Sequence, residues 1–328
     1  MFELRRQQTL EALKNIRQNE EFQGVCCSKP EDYANIEPAA WKFYRYEQLS
    51  SLARLIVQQV QQPYDAVIGI ARSGIVPATY ISHAMHTPLY LMDQVSKELT
   101  PLGGGNRTKR LAKDIERVLL VDDSCYSGHT LSVLRKALEE GNLQVTTAAC
   151  IVRPMARERV DIFGVLQPSP HLFEWHMPNS AFLTGRMANP ALKGGLAFDF
   201  DGVLCVDVPA GCDDDGEKYI NYLANAPLLM RPTFHPIELI ITFRLEKYRA
   251  ITEAWLDKWG IKCKKLVMHP AERIQDRVFD AAAFKGTHLK ESACFGMIES
   301  DKRQAKAIAR ASGKPVICYS TGEVFYDG

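Results

Sequence analysis

Long apolar runs are absent from this 328-residue sequence, and none approaches the roughly 20 residues that a membrane-spanning helix needs. An excess of one charge is absent as well, because 40 Lys and Arg oppose 39 Asp and Glu, for a formal net charge of +1. No long-range field therefore favours nucleic acid or a membrane surface. Residues 1–22 are amphipathic and charged, and they lack the apolar core of a signal peptide. We expect a cytoplasmic protein that binds neither membrane nor nucleic acid.

Ordered cysteine patterns, internal repeats and low-complexity tracts are also missing. The 9 Cys are scattered and odd in number, and Cys26, Cys27, Cys205 and Cys212 do not have the spacing of zinc ligands. This pattern favours free thiols in a reducing compartment. The hydrophobic content of 46% and the charged content of 24% are ordinary for a globular protein. The length favours two domains.

The most informative stretch is residues 117–131, RVLLVDDSCYSGHTL. Its aliphatic run at 118–121 predicts a buried strand, and a helical pattern follows the loop. The small polar loop around Gly128 fits a phosphate cradle, because free backbone N–H groups converge at a helix N-terminus. Asp122 and Asp123 would repel phosphate there unless they face sugar hydroxyls or a metal. As an alternative, the two acids only cap the next helix.

This arrangement resembles the PRPP-binding motif of type I phosphoribosyltransferases, in which two acids follow a hydrophobic strand and a Ser/Thr-Gly-x-Thr turn closes the loop. The resemblance implies that Asp122 and Asp123 contact the ribose hydroxyls and that the following loop grips the 5′-phosphate. The loop residues are Ser124, Cys125, Tyr126, Ser127, Gly128, His129 and Thr130. The resemblance also implies PRPP as co-substrate, Mg²⁺ bound with it, and pyrophosphate as a product.

A second loop of this kind lies some 50 residues earlier. The apolar run at 65–71 predicts a strand, and Arg72, Ser73 and Gly74 follow it. Gly74 permits a close turn and Arg72 offers an anion site, although a solvated loop charge is the alternative. In the family this loop receives pyrophosphate. Residues 103–110 hold three Gly and three cations, which predicts either the family's flexible lid over PRPP or a plain surface loop.

The acceptor site is less well defined by the sequence. Glu174 and Trp175 fall where the family has a hood over the acceptor, so that Trp175 would stack on a base and Glu174 would accept a hydrogen bond. The alternative is that Trp175 belongs to the core. In purine-salvage members an acid in the PRPP loop stands where this chain has Tyr126, and a Lys stands where it has His129. These departures count against a hypoxanthine–guanine reaction and leave an orotate-like or other nitrogen acceptor open.

A second motif, GLAFDFDGVL at residues 195–204, ends a hydrophobic strand in two acids separated by one residue. It resembles the first motif of the haloacid-dehalogenase (HAD) superfamily phosphatases. The resemblance implies that Asp199 is a nucleophile that takes the phosphoryl group. It also implies that Asp201 gives a proton to the leaving oxygen and later activates water. A calcium loop is the main alternative, but the further acids and final Glu of an EF-hand are missing.

Later residues fit the remaining HAD motifs. Thr242 ends a predicted strand and would hold a phosphoryl oxygen, while Arg244 would contact substrate or cap a helix. Lys285 would supply the cation of the third motif, with Lys290 as its rival. Ser300 occupies a position where the family often has an acid. The expected Mg²⁺ ligands are Asp199, the carbonyl of Asp201, and Glu299 or Asp301.

Taken together, the sequence predicts an α/β protein with two doubly wound parallel-sheet domains, the second of them Rossmann-like with little or no cap. We expect a helical arm at 1–30, a phosphoribosyltransferase domain at 31–180, a linker at 181–194 and a HAD-like phosphatase domain at 195–328. The expected function is bifunctional: PRPP-dependent transfer to a nitrogenous acceptor, and hydrolysis of a phosphate ester, both on small-molecule substrates. Whether two copies of the chain form a homodimer is left open by the sequence.

Two alternatives concern the function as a whole. In the first, the chain senses PRPP or nucleotides through a domain that has lost catalysis. In the second, it belongs to a specialised bacterial pathway, such as stress resistance or phage defence, and one domain is regulatory.

Overall fold

The computed structural model describes residues 42–103, 115–168, 171–176, 194–232, 236–276 and 280–327. Among them, residues 46–168 form one compact unit, and residues 42–45 with 171–327 form a second. The predicted arm at 1–30, most of the predicted loop at 103–110 and nearly all of the linker at 181–194 lie outside the described residues. Within the described ranges, no helix is long and apolar enough to cross a membrane.

The first unit contains six strands and three α-helices among its described residues. In chain order they are α1 (Tyr46–Gln59), β2 (Ala66–Ile70), α2 (Ile75–Met85), β3 (Leu89–Met92), β4 (Leu99–Gly103), β5 (Arg117–Cys125), α3 (His129–Glu140), β6 (Gln144–Val152) and β7 (Ile162–Leu166). The strand order is β4-β3-β2-β5-β6-β7, and only β4 runs antiparallel to its neighbour. This parallel arrangement confirms the predicted α/β class.

Helices cover both faces of this sheet. On one face, Ile68 of β2 and Leu120 of β5 pack with Leu131 and Leu134 of α3 in one buried cluster. On the other face, α2 comes so close to β2 that only glycine fits at position 69. Strands buried on both faces are expected to be continuously apolar, which is why the runs in β2 and β5 were recognisable in the sequence.

Strand β5 is longer than the sequence predicts. The aliphatic run ends at Val121, but pairing with β6 continues through Asp122 and Ser124 to Cys125. The two acids are therefore strand residues, and the pairing with β6 fixes their backbone. The loop that follows is short and begins at Tyr126.

The second unit contains another parallel sheet. Its described elements are β1 (Lys42–Tyr44), β8 (His171–Phe173), β9 (Leu196–Phe198), α4 (Glu217–Asn225), β10 (Leu239–Leu245), α5 (Arg249–Lys258), β11 (Leu266–His269), α6 (Ala281–Glu291), β12 (Gly296–Glu299), α7 (Lys302–Ser312), β13 (Val316–Cys318) and β14 (Val324–Phe325). The strand order is β11-β10-β9-β12-β13-β14, and only β14 is antiparallel.

This sheet is also covered on both faces. Phe198 of β9 packs with Trp255 of α5 on one side. Ala197, the preceding residue of β9, packs on the other side with Leu289 of α6 and Ile308 of α7. Successive side chains of a strand point to opposite faces of the sheet, so the three residues of β9 contribute to two separate cores.

Strands β1 and β8 form a separate two-stranded parallel sheet. Phe43 and Leu172 from these strands are buried in the same cluster as Phe198 and Trp255. The predicted boundary placed both strands in the first domain, whereas the structure places them in the second unit. Neither strand was predicted, because a three-residue strand shows no period and, unlike β9, neither of these is followed by a recognisable motif.

The close approach of α2 to β2 is a testable feature of the first unit. A Cβ atom added to Gly69 would lie 2.8 Å from Cβ of Ala78 and 3.0 Å from Cα of Ile75. We expect Gly69→Ala to lower the free energy of unfolding by about 1–3 kcal/mol, because the helix must move away from the strand. Denaturant unfolding followed by far-UV circular dichroism measures the change. Gly216→Ala is the matched control, since its nearest contact would be 3.6 Å; equal effects of both changes would contradict the prediction.

Candidate active sites

The first candidate site lies at the carboxyl ends of β2 and β5. Asp122 and Asp123 are both more than nine-tenths buried. The Ser73 hydroxyl donates a hydrogen bond to Asp123 Oδ1 over 2.9 Å, and the Asp123 N–H donates to Asp122 Oδ1 over 3.0 Å. A Cβ atom on Gly74 would lie 2.9 Å from Asp122 Oδ1. The loop at 72–74 therefore contacts the two acids. Strands β2 and β5 are parallel neighbours, so the residues that follow or end them lie at the same edge of the sheet.

The two carboxyl groups share an unfavourable environment. Burial, followed by the charge of Asp123, raises the pKa of Asp122 well above its usual range. Burial also raises the pKa of Asp123, although hydrogen bonds from Asp122 and Ser73 offset part of the rise. No Lys or Arg of the described residues forms an ion pair with either group. For buried acids without a nearby cation, a ligand that donates hydrogen bonds or carries positive charge stabilises the ionised form.

The loop after the acids ends at a helix N-terminus. Gly128 has a left-handed conformation with φ of 79°, and α3 begins at the next residue. The Ser127 hydroxyl accepts a hydrogen bond from the His129 N–H over 3.4 Å. The first N–H groups of a helix have no partner within the helix and favour an anion. The phosphate-binding role of Ser124–Thr130 stays a prediction. Tyr126, which stands at the family's acid position, has the Arg153 guanidinium 5.0 Å from its ring centre.

The predicted acceptor residues are found in the second unit. Glu174 and Trp175 belong to a short 3-10 helix after β8. The Trp175 ring stacks on Phe173 with a centroid distance of 4.2 Å. This contact matches the packing alternative for Trp175, and the acceptor role of both residues stays a prediction.

The second candidate site lies at the carboxyl ends of β9, β10 and β12. Lys285 of α6 is almost completely buried and reaches two acids, with its Nζ 2.8 Å from Asp199 Oδ2 and 2.7 Å from Glu299 Oε2. The two acids raise the pKa of Lys285 even though burial acts against its charge. Burial and the charge of Glu299 raise the pKa of Asp199, and Lys285 opposes them. Lys290, the rival for this position, is exposed.

Asp201 is held by a buried arginine that the sequence did not assign to it. Arg244 donates from Nη2 to Asp201 Oδ1 over 2.6 Å and from Nε to Oδ2 over 2.9 Å. The Tyr222 hydroxyl also donates to Asp201 Oδ1, over 3.1 Å. Arg244 is 1% exposed and stacks on the Phe200 ring at 3.9 Å. Burial alone would raise the pKa of Asp201, but the Arg244 guanidinium outweighs it and holds that pKa below its usual range.

Three further residues that the sequence analysis named lie at the same end of the sheet. Thr242 is fully buried, and its Oγ1 accepts a hydrogen bond from the Arg244 N–H over 3.3 Å. Ser300 follows β12, and its hydroxyl donates to the Asp201 carbonyl over 3.3 Å. Asp301 caps α7 by accepting from the Gln304 N–H over 2.8 Å.

These residues surround a polar cleft of about 350 Å³. Its charged lining consists of six acids, Asp199, Asp201, Asp207, Asp213, Glu299 and Asp301, and two cations, Arg244 and Lys285. Asp207 was not predicted as a site residue, because it does not directly follow a predicted strand. Carboxylate, carbonyl and hydroxyl oxygens with an excess of negative charge suit Mg²⁺. Within the described ranges, no three His, Cys, Asp or Glu are grouped to hold a metal by themselves.

Comparison with known proteins defines the class of the first unit. Residues 45–177 match the family model for the phosphoribosyl transferase domain, and the chain therefore carries a type I phosphoribosyltransferase domain. A curated relative, the xanthine-guanine phosphoribosyltransferase of Nitratidesulfovibrio vulgaris, is 26% identical over 156 residues. That match covers 45% of this chain and 89% of the relative.

Solved structures give matches of similar extent. The purine phosphoribosyltransferase of Pyrococcus horikoshii has 20% identity and a TM-score of 0.33, covering 41% of this chain and 93% of that chain. The xanthine-guanine-hypoxanthine phosphoribosyltransferase of Helicobacter pylori has 18% identity and a TM-score of 0.35, covering 42% of this chain and 93% of that chain.

The buried acid pair predicts an unusual stability change. The pKa of Asp122 is raised in the folded protein. The contribution of Asp122 to the free energy of unfolding is therefore fully present below its pKa in the unfolded chain, near 4, and is lost as the pH rises through its pKa in the folded protein. Asp122→Asn removes that loss, and we expect it to raise the free energy of unfolding at pH 7 by about 1 kcal/mol. The gain should vanish below about pH 4. Denaturant unfolding at several pH values measures it.

Asp161→Asn is the matched control in the same unit. The Asp161 carboxylate pairs with Arg135 at 3.1 Å and accepts from the Thr147 N–H at 2.8 Å. Its replacement should lower stability at pH 7. If Asp122→Asn were equally destabilising, the acid pair would not be under the strain that its burial implies.

Proposed function

We propose that the first domain transfers a phosphoribosyl group from PRPP to a nitrogen acceptor. The observation that carries this proposal is the buried pair Asp122 and Asp123, without an ion-pair partner among the described residues and next to a helix N-terminus. Ribose hydroxyls would donate hydrogen bonds to these carboxylates and favour their charged forms. Loss of pyrophosphate builds positive charge on the ribose, which nearby carboxylates stabilise.

The other parts of PRPP fit the neighbouring loops. Backbone N–H groups of residues 124–130, with the Ser127 and Thr130 hydroxyls, would bind the 5′-phosphate. The loop Arg72–Gly74 would receive pyrophosphate, since it lies directly beside Asp122 and Asp123. Mg²⁺ would enter with PRPP as part of the substrate.

The acceptor is proposed to be a nitrogenous base. The name of the 26% identical relative favours an oxopurine such as xanthine or guanine. Tyr126 departs from the acid that purine enzymes carry, and Arg153 lies over its ring. A base with its own negative charge, as in an orotate-like acceptor, would suit this cation. A panel must therefore include both kinds of base.

We also propose that the second domain is a HAD-like phosphohydrolase. Asp199 would attack the phosphorus atom, while Lys285 and Thr242 would hold phosphoryl oxygens and keep Asp199 in place. Mg²⁺ would be held by Asp199, the Asp201 carbonyl and an acid after β12, and it would neutralise charge on the phosphate. Of the two candidate acids, Asp301 is more accessible, because both Glu299 oxygens already accept hydrogen bonds from Lys285 and backbone N–H groups.

A regulatory role for the second domain is the alternative that one observation favours. Asp201 is fully engaged by Arg244 and Tyr222, so the group that should move protons is tied to its neighbours. A domain of this kind would bind a phosphorylated compound and report its presence without turnover.

The two proposed activities form a sequence. The transferase would make a nucleoside 5′-phosphate, and the phosphohydrolase would remove its phosphate, making the overall conversion irreversible. With Mg²⁺, PRPP and a panel containing xanthine, guanine and orotate, we expect pyrophosphate release followed by inorganic phosphate. Asp199→Asn should still release pyrophosphate but accumulate the nucleotide, which mass spectrometry detects. Pyrophosphate without later phosphate from the wild-type protein would refute the coupling.

The Arg244–Asp201 ion pair predicts which phosphate esters are hydrolysed. A carboxylate held ionised by Arg244 can accept a proton from water but cannot protonate a leaving group. General acid catalysis contributes about 10²–10⁴-fold, so alkyl phosphates should react slower than 4-nitrophenyl phosphate by about that factor. Steady-state kcat/KM across a series of aryl and alkyl phosphates measures the dependence. Similar values for both kinds of ester would show that Asp201 leaves the ion pair during turnover.

A further inference from the structure

The predicted 5′-phosphate loop lacks a strong cation of its own. Residues 124–130 contain no Lys or Arg, and two acids precede them directly. A 5′-phosphate is a dianion near neutral pH, whereas a helix N-terminus offers the equivalent of only about half a positive charge. The binding of PRPP at this loop therefore calls for a cation from elsewhere in the fold.

Two cations of the described residues reach this loop: Arg153 lies over the Tyr126 ring, and Arg159 contacts the backbone at Ser127 and Gly128. Arg159 Nη1 donates a hydrogen bond to the Ser127 carbonyl over 2.9 Å. Its aliphatic stem crosses Gly128 so closely that a Cβ atom on Gly128 would lie 2.7 Å from Arg159 Cδ. Its charge also acts on Cys125, where burial and Asp122 raise the thiol pKa to about 12 and Arg159 opposes the rise.

The position of Arg159 follows from the strand pairing. Strand β6 lies beside β5, and the Arg153 N–H donates to the Cys125 carbonyl over 2.9 Å at their common end. A 3-10 helix, Pro154–Arg159, starts there and turns the chain back along the loop. Arg159 is its last residue and is exposed to solvent. Apart from the bond to Ser127, its guanidinium has no hydrogen-bond or ion-pair partner among the described residues.

We propose that Arg159 binds the 5′-phosphate of PRPP and supplies the positive charge that residues 124–130 lack. The proposal rests on the proposed PRPP-binding function of the first domain. The bond to the Ser127 carbonyl holds the guanidinium at the loop, and its remaining N–H groups are available to phosphate oxygens. Charge-assisted hydrogen bonds of this kind are among the stronger ones in proteins.

The test is the binding of ribose 5-phosphate to the full chain by isothermal titration calorimetry. Arg159→Gln keeps an N–H donor for the Ser127 carbonyl but removes the charge, and we expect its affinity to fall at least about tenfold. Arg159→Lys keeps the charge but not the guanidinium fork, and its affinity should lie between those of the wild type and Arg159→Gln. Pyrophosphate, measured with Mg²⁺ as the probe of the Arg72–Gly74 loop, should bind all variants alike.

Arg157→Gln is the matched control on the same 3-10 helix. The Arg157 guanidinium lies 4.5 Å from the centre of the Phe163 ring and donates to the Val160 carbonyl over 3.3 Å. This substitution should leave ribose 5-phosphate binding unchanged.

Two results would overturn the proposal. If Arg159→Gln bound ribose 5-phosphate as the wild type does, no charge would be needed at this position. If Arg159→Lys were as weak as Arg159→Gln, the residue would only shape the loop. A wild-type protein that bound neither ribose 5-phosphate nor pyrophosphate would instead remove the proposed PRPP-binding function itself, and this proposal with it.

Discussion

Carboxylates buried at the ends of central parallel strands are the constraint on which both units depend. In each sheet, acids lie buried at the carboxyl ends of the strands. A buried charge requires a partner of opposite charge or a hydrogen-bond donor. The first unit leaves Asp122 and Asp123 without a cation, among the residues described, so that both are held with raised pKa values. The second unit provides its own cations, Lys285 and Arg244. The buried acids of the first unit thus await a ligand, whereas those of the second unit are already paired with cations of the protein.

This difference separates the chemistry of the two candidate sites. In the first, a ligand with hydroxyl groups improves the environment of the acids, so ligand binding and acid ionisation favour each other. In the second, Lys285 and Arg244 have already neutralised much of the negative charge, and an incoming phosphate competes with Asp199 for Lys285. Buried pairs of this kind add little net stability compared with apolar packing, but losing one partner is severe. They fix the geometry of the cleft more than they stabilise the fold.

The sequence predicted the features that are local and missed those that join distant segments. Strands β2, β5 and β6 were visible as apolar runs, because burial on both faces leaves no alternation to obscure them. The acids after β9 and those within the end of β5 were visible for the same reason, as charges that follow an apolar run. Arg244 was noticed without a definite role, because its bond to Asp201 spans 43 positions that no pattern connects. Arg159 was overlooked, since only the pairing of β5 with β6 brings it to the loop.

The parallel pairing of β1 with β8 has a consequence for how the chain is held together. The chain leaves the second unit after Arg45, and the strand that pairs with β1 begins at His171. When the first unit is folded, its compactness keeps the path between these two points short. When it is unfolded, the same pair closes a flexible loop of more than about a hundred residues, at an entropic penalty on the order of 4 kcal/mol. A molecule that keeps the first unit folded therefore also favours the pairing of β1 with β8, because the entropic penalty of closing the long loop is avoided.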